Sequence, residues 1–345
     1  MARMSMRSGT TNETEVDGCS EGDALDLGRG SDRDRSLSAG AHRSPLSLER
    51  GCHGHPIGQA RSHHQNARLL EVRFRVMSTE AGLWLHSAHP EADLALCRAA
   101  TWLQQLERQL TRFSPHSELS GLNARAGQGA VAVSALLYEV VEAALGLARW
   151  SGGLFEPTML PHLVRAGYGP GLERGKVDYK AVRLYPDSLS VELEEGVALD
   201  LGGVAKGWAA DRLAQFLEGF GSVLVDLGGD LACRGARRWR VGVQDPHQPD
   251  ADLCELRLHN EAVATSSTLK RRWAGGHHLI DPRHGTPSTS DVVAATVLAP
   301  AATLAEGAAK TALLLGESHG KEFLLETGLR GILVKSDGSM TKVSL

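Results

Sequence analysis

The stretch Ala198-Leu-Asp-Leu-Gly-Gly-Val-Ala-Lys-Gly207 carries the strongest structural signal in this chain of 345 residues. Its apolar residues predict a strand that ends at paired glycines, and the residues that follow predict a helix. Paired glycines let backbone N–H groups approach a ligand, and the N-terminus of a helix favours negative charge. Lys206 adds a point charge in the first helical turn, so the stretch predicts a site for a phosphorylated ligand. A diphosphate fits this pattern better than a neutral molecule does.

A second glycine segment, Val225-Asp-Leu-Gly-Gly-Asp230, also combines a buried strand with paired glycines and an acid. Asp230 either forms a turn or faces the same site, and the sequence leaves both open. Asp200, at the end of the first strand, either hydrogen-bonds a ligand or caps the helix that follows. Because Lys206 lies six residues after Asp200, the helix is expected to present both charges to one site.

The segment His278-Leu-Ile-Asp-Pro-Arg-His-Gly285 supplies the best candidate for proton transfer. Histidine titrates near neutral pH, so His278 is predicted to take a proton from a weakly acidic hydroxyl. Asp281 precedes proline and is predicted to fix a tight turn rather than to react. Arg283 is either a phosphate contact or a solvated side chain.

Composition and charge restrict the class of protein and its partners. A hydrophobic content of 42% is ordinary for a globular protein, and 345 residues form one large domain or two small ones. A net charge of −4 gives no global basic field, so neither nucleic acid nor an anionic membrane is an expected partner. The five cysteines are odd in number and lack C-x-x-C spacing, which argues against a disulfide framework or a structural zinc site.

The start of the chain differs in composition from the rest. Residues 1–68 are rich in Ser, Gly, Arg, Asp and His and nearly empty of aromatic and β-branched residues, which predicts a disordered tail before one folded domain at 69–345. No apolar segment of a secretory signal is seen, and no lipoprotein leader precedes Cys19. The longest apolar run, at 292–305, contains Pro300 and is too short to span a membrane. A cytoplasmic location is therefore expected.

Hydrophobic periodicity predicts more strands than helices. Strands are expected at 69–77, 83–86, 188–193, 198–201, 223–227, 238–244, 255–258, 262–265, 292–298, 331–335 and 340–343, the last two joined by an Asp337-Gly338 turn. Helices are expected at 90–111, from an N-cap at Ser134 to Trp150, at 205–220 and at 303–315. Strands in excess of crossover helices indicate an α+β fold with a mixed, largely antiparallel sheet and packed helices.

Read together, the two glycine segments and the His278 segment resemble the ApbE family of FAD:protein FMN transferases. That family carries D-x-G-x-x-x-K-G, then G-G-D, then H-I-I-D-P-x-T-G, in the same order and spacing. Weaker similarity extends to Met77-Ser-Thr79, to Phe113-Ser-Pro-His-Ser-Glu-Leu-Ser120 and to Gly153-Leu-Phe-Glu-Pro-Thr158. The resemblance spans the chain from about residue 70 to its end.

The resemblance implies a T-fold-like domain and a specific reaction. The expected activity is Mg²⁺-dependent transfer of FMN from FAD to a Ser or Thr hydroxyl of an acceptor protein, with release of AMP. His278 aligns with the family's catalytic histidine. The residues implied to contact FAD are Met77, Phe113, Leu154, Phe155, Glu156, Asp200, Lys206, Ile280 and Arg283, and those implied to hold the metal are the Gly203 carbonyl, Glu306 and Lys310.

This sequence departs from the family pattern most clearly at Lys310. The family resembles A-D-x-x-x-T there, with Asp and Thr as oxygen ligands, whereas a protonated lysine has no lone pair to offer a metal. Either the ammonium supplies part of the metal's charge, or Thr311 and Glu306 rearrange around a weaker site. A surface ion pair between Glu306 and Lys310 is a third interpretation.

Two other functions stay open at this stage. An FAD diphosphatase would use water in place of the acceptor hydroxyl. A non-catalytic flavin-binding protein would account for Ser78, Glu156, His284 and Lys310 at positions where the family has Gly, Asp, Thr and Thr.

Overall fold

The computed structural model describes the strand Ala2–Met4 and residues 66–274 and 276–345. Its helices are α1 (Ala92–Leu110), α2 (Glu118–Asn123), α3 (Ala135–Trp150), α4 (Leu160–Arg165), α5 (Ala205–Glu218) and α6 (Ala302–Glu326), with short 3₁₀ turns at Tyr179–Ala181 and Pro186–Ser188. Its strands are β1 (Ala2–Met4), β2 (Arg68–Val76), β3 (Thr79–Ser87), β4 (Ala130–Ala132), β5 (Val182–Tyr185), β6 (Ser190–Leu193), β7 (Ser222–Leu227), β8 (Asp230–Arg234), β9 (Trp239–Gln244), β10 (Asp252–Leu258), β11 (Ala262–Ser267), β12 (Arg272–Trp273), β13 (Gly276–His277), β14 (Ile280–Asp281), β15 (Thr286–Pro287), β16 (Val292–Ala299), β17 (Arg330–Lys335) and β18 (Met340–Val343).

An eight-stranded sheet in the order β18-β17-β16-β11-β8-β7-β3-β2 forms the centre of the molecule. Every neighbouring pair in this sheet runs antiparallel. Smaller sheets join β1, β9 and β10, and β4, β6 and β5. The α+β prediction is confirmed, but the central sheet is antiparallel throughout rather than mixed.

Both faces of the central strands are covered, which explains their nearly continuous apolar sequence. In β3, Leu83 and Leu85 join the core beneath the helices, while Trp84 between them joins the cluster on the opposite face that also contains Trp239 of the small sheet. Alternate side chains of a strand point to opposite faces, so a strand with two covered faces needs apolar residues at every position. Helices α1 and α5 cover one half of the helical face, α3 packs on α5 and α6, and α6 covers the other half over β16, β11 and β17.

Local capping signals were predictive. Ser134 accepts a hydrogen bond from Leu137 N at 3.2 Å and begins α3 where the sequence predicted.

The predicted helix at 303–315 ends at Gly316, whose φ of 78° is not helical. The chain then continues as helix to Glu326, a segment that the sequence analysis missed. Glycine tolerates this left-handed conformation, so it permits the kink.

Residues 198–201 do not form the predicted strand. Leu199 exchanges both of its backbone hydrogen bonds with the side-chain amide of Asn123, at 2.8 and 2.9 Å, and Asp200 N donates to Pro157 O at 2.8 Å. These partners satisfy the extended backbone without a sheet. The strands predicted at 238–244 and 255–258 form as β9 and β10, and they pair in a separate three-stranded sheet on the far face of the central sheet.

The predicted disordered tail is only partly described. Ala2–Met4 pair with β9, so the prediction is wrong for these three residues, because the edge of β9 offers them hydrogen-bond partners. Residues 5–65 lie outside the described part of the chain. The first strand of the domain begins at Arg68, one residue before the predicted start. Within the described residues, no helix is both long and apolar enough to cross a membrane.

Candidate functional site

A cleft opens where the N-terminal end of α5 meets α6 and the loop before β14. The turn after β2, the C-terminal end of α1 and the loop between α3 and α4 complete its walls. Most of the predicted site residues line it: Met77, Phe113, Leu154, Phe155, Glu156, Asp200, Gly203, Lys206, His278, Ile280 and Lys310. The fold therefore brings together segments that lie far apart in the sequence.

Two predicted residues do not line the cleft. The Arg283 guanidinium is bound to Asp281, with Nε–Oδ1 at 2.9 Å, and donates to Leu314 O at 2.8 Å. It closes the turn at 281–285 and supports the last carbonyls before the kink in α6. Its predicted contact with phosphate is therefore not available in this arrangement. Glu306 is 1% exposed and lies behind the two lysines of the cleft wall.

Lys206 is held between two carboxylates. Its Nζ donates to Asp230 and, at 2.8 Å, to Oε1 of Glu306. Burial alone would lower the pKa of Lys206, but the charges of Asp230 and Glu306 outweigh it and raise that pKa. Burial and the nearby Glu306 raise the pKa of Asp230. Lys206 is therefore the counterion of two buried acids, and not a free cation in front of a ligand.

Lys310 occupies the adjoining position on α6. Its Nζ donates to Gly203 O at 2.8 Å and to Glu306 Oε1 at 3.0 Å, while Glu306 Oε2 accepts from Gly207 N at 2.9 Å. We call Lys206, Asp230, Glu306 and Lys310 the ionic cluster. Burial lowers the pKa of Lys310, and the charge of Glu306 opposes that effect. The cluster ties α5 to α6 directly beneath the cleft.

His278 lines the cleft, and one of its ring nitrogens has no hydrogen-bond partner among the described residues. This nitrogen, Nδ1, is buried. Burial, followed by the charges of Arg271 and Lys310, lowers the pKa of His278 to about 3. The imidazole is therefore neutral at neutral pH and is able to accept a proton. The adjacent His277 has a structural contact, with its Nε2 at 3.1 Å from Ser288 O.

Arg112 is an important residue that the sequence analysis did not single out. It is 9% exposed and bridges the walls of the cleft through its guanidinium, which donates to Asp200, to Tyr168 O at 2.6 Å and to Pro170 O at 2.8 Å. Asp200 also accepts from Gly202 N at 3.0 Å, so it shapes the glycine turn. The sequence did contain a signal that could have identified Arg112, because it stands directly before Phe113 in the segment that resembles the family.

Aromatic side chains form one rim of the cleft. Tyr168 stacks on Trp273 with ring centroids 5.3 Å apart, and the Arg112 guanidinium lies 4.3 Å from the centre of the Phe113 ring. Phe113 is 53% exposed, which is unusual for a side chain of its size. Tyr168 belongs to a glycine-rich loop that lacks any recognised dinucleotide motif, so its sequence gave no indication of this role. Exposed rings beside a cleft suit a planar aromatic ligand.

Glu156, at a position where the family has Asp, supports the loop at 154–158. Its carboxylate accepts from Thr158 N at 2.9 Å, Thr158 Oγ1 at 2.7 Å and Tyr179 N at 3.0 Å. Burial raises its pKa. These bonds fix the loop that carries Phe155. The Phe155 ring lies close to the glycine turn, since a Cβ on Gly203 would lie 3.2 Å from it.

The family model described as "ApbE family" matches residues 73–333 of this chain. The chain belongs to the ApbE family. The FAD:protein FMN transferase of Treponema pallidum is 32% identical over 294 residues, covering 73% of this chain and 80% of that protein. The protein of the same name from Vibrio cholerae is 26% identical and covers 63% of this chain and 72% of its own.

Solved structures of ApbE proteins share the fold. The ApbE protein from Thermotoga maritima has a TM-score of 0.73 at 23% identity and covers 80% of this chain and 97% of its own. The flavin transferase ApbE from Vibrio cholerae has a TM-score of 0.69 at 21% identity and covers 81% and 98%. At these identities the similarity supports the ApbE fold and nothing further.

The positions that the ApbE pattern assigns to Mg²⁺ do not fit the ion in this chain. Lys310 directs its N–H donors at the Gly203 carbonyl and at Glu306, two of the oxygens expected to bind the metal. Thr311, the alternative oxygen, is fully buried and donates to Gly307 O at 2.9 Å within its own helix. The surface-pair interpretation is also wrong, because Glu306 is 1% and Lys310 17% exposed.

Proposed function

We propose that this protein transfers the FMN half of FAD to a Ser or Thr hydroxyl of an acceptor protein and releases AMP. The observation that carries the proposal is His278, a neutral imidazole that lines the same cleft as the glycine turn and two lysines. Membership of the ApbE family, and the transferase names of its relatives, support the same reaction.

The shape of the cleft suits the two ends of FAD. The aromatic rim at Phe113 and Tyr168 offers flat apolar surfaces for a ring system. The glycine turn at the N-terminal end of α5 and the ammonium of Lys310 offer positive charge to the diphosphate. Phe155 and Ile280, both buried, add apolar surface to the lining of the cleft.

The chemical step requires one base and a stabilised leaving group. The acceptor oxygen bonds to the phosphorus on the FMN side of the diphosphate, the bond from that phosphorus to the bridging oxygen breaks, and AMP leaves with that oxygen. His278 takes the hydroxyl proton. A bound diphosphate offsets the positive field of Arg271 and Lys310, so it raises the pKa of His278 and makes the imidazole a better base.

Incubation of the full chain with FAD, with and without an acceptor domain that carries Ser or Thr on a flexible segment, tests the proposal. Transfer predicts AMP only when the acceptor is present, and an acceptor whose mass increases by FMN less one water. AMP without the acceptor would indicate a diphosphatase. Bound FAD with no AMP in either case would indicate a non-catalytic flavin-binding protein and would overturn the proposal.

The His278→Gln variant separates chemistry from binding. Glutamine keeps a polar side chain of similar reach but has no basic nitrogen. We expect loss of AMP release with retention of FAD binding, measured by quenching of flavin fluorescence. Full activity of this variant would exclude His278 as the base.

A further inference from the structure

We infer that the Lys310 side chain takes the place of a divalent metal ion in this cleft, so that the protein binds the diphosphate of its substrate without Mg²⁺. This inference rests on the proposed function for the identity of the substrate. The position of Lys310, the state of Glu306 and the charge balance of the ionic cluster each support it.

The Lys310 side chain is fixed at one place in the wall of the cleft. Its Nζ lies 2.8 Å from Gly203 O and 3.0 Å from Glu306 Oε1, and a Cβ on Gly203 would be 3.3 Å from Lys310 Cε. The lysine therefore packs along the glycine turn and ends at its carbonyl. Mg²⁺ binds oxygen at about 2.0–2.1 Å, so an ion shared by Gly203 O and Glu306 would overlap the nitrogen.

Both carboxylate oxygens of Glu306 already accept hydrogen bonds from buried or half-buried donors. Its Oε1 accepts from both lysines, and its Oε2 accepts from Gly207 N at 2.9 Å. Because Glu306 is 1% exposed, loss of either lysine contact would leave part of a buried carboxylate without compensation. Metal binding would therefore have to break contacts that hold α5 to α6.

The ionic cluster is electrically balanced without a metal. Two lysines face two carboxylates, those of Asp230 and Glu306. A threonine at position 310 would leave one net negative charge, which attracts a divalent cation, whereas the lysine leaves none. The same ammonium contributes to the positive field at His278. It thus supplies a fixed positive charge beside the expected site of phosphoryl transfer.

The test compares the wild type with Lys310→Thr, and with Lys321→Thr as a matched control. Lys321 is an exposed lysine on the same helix and lies outside the cleft. FAD affinity is measured by flavin fluorescence in EDTA and in excess Mg²⁺. Wild type and Lys321→Thr should bind FAD equally with and without Mg²⁺. Lys310→Thr should lose about tenfold in affinity in EDTA, equivalent to about 1.4 kcal/mol, and recover it with Mg²⁺.

A second readout does not depend on FAD. Mn²⁺ binding to the protein alone, followed by electron paramagnetic resonance, should be absent for the wild type and Lys321→Thr and present for Lys310→Thr. If no variant binds FAD, the proposed function fails while the Mn²⁺ result still decides the inference. If Lys310→Thr does not fold, the wild type decides alone: stoichiometric Mn²⁺ binding, or FAD affinity that requires Mg²⁺, overturns the inference, and the absence of both supports it.

Discussion

Arg112 and Asp200 form an ion pair, with side chains 4% and 16% exposed, that joins the C-terminal end of α1 to the glycine turn before α5. The same guanidinium donates to Tyr168 O and Pro170 O. One side chain thus connects the aromatic rim to the glycine turn. The pair therefore helps to set the distance between the predicted ring and diphosphate sites.

Arg112→Ala should destabilise the protein by about 3–5 kcal/mol, because it leaves Asp200 without its partner and two carbonyls without their donors. Urea unfolding at neutral pH measures the effect. Arg68→Ala is the matched control: its ion pair with Asp93 is 67% and 55% exposed, so its removal should cost about 0–1 kcal/mol. Equal losses in the two variants would contradict a structural role for the Arg112 pair.

Lys206→Ala should unfold at lower temperature than the wild type. If Lys206 only faced phosphates, as the sequence predicted, its substitution would weaken ligand binding and hardly change stability. Its contacts with Asp230 and Glu306 change that expectation. Two buried carboxylates would then share only Lys310. The double variant Lys206→Ala with Asp230→Asn should recover part of the loss, and a double-mutant cycle with the two single variants, followed by thermal unfolding, measures the coupling. Strictly additive effects would contradict the contact.

His278 should make the protein less stable in acid. Its pKa falls from 6.5 to about 3 on folding, so the unfolded chain binds the proton more readily between these values. Stability is therefore lost as pH falls from 6.5 towards 3, by at most about 1.4 kcal/mol per pH unit from this group. His278→Gln removes that contribution and should flatten the dependence of the unfolding free energy on pH in this window. Parallel curves for wild type and variant would show that burial of His278 is not coupled to its protonation.

A chain that begins at residue 66 should unfold cooperatively. The described core residues lie between Val72 and Val343, and β1 pairs with β9 outside these core clusters. We expect a small loss of thermal stability from the exposed edge of β9. A chain that begins at residue 78, without β2, should lose cooperative unfolding, because β2 pairs with β3 along its whole length. Loss of cooperativity in the longer chain would show that the segment before residue 66 is part of the domain.

Structural features that depend on a few neighbouring residues were predicted well. The Ser134 cap, the Asp337-Gly338 hairpin and the start of α5 after the paired glycines all follow from local backbone preferences. The strand predicted at 198–201 failed for a related reason: its sequence favours an extended backbone but does not identify the hydrogen-bond partner. That partner is the side chain of Asn123, which lies 76 residues away from Leu199.

The sequence by itself determined that paired glycines, a lysine and a histidine segment occur in the order of the ApbE family, because motif order and spacing are properties of the chain. Only the tertiary structure decided which charges meet. It encloses Lys206 between two acids and directs Lys310 at the Gly203 carbonyl. These ion pairs join segments that are remote in sequence, and hydrophobic periodicity predicts which face of a segment is buried but not which other segment it meets.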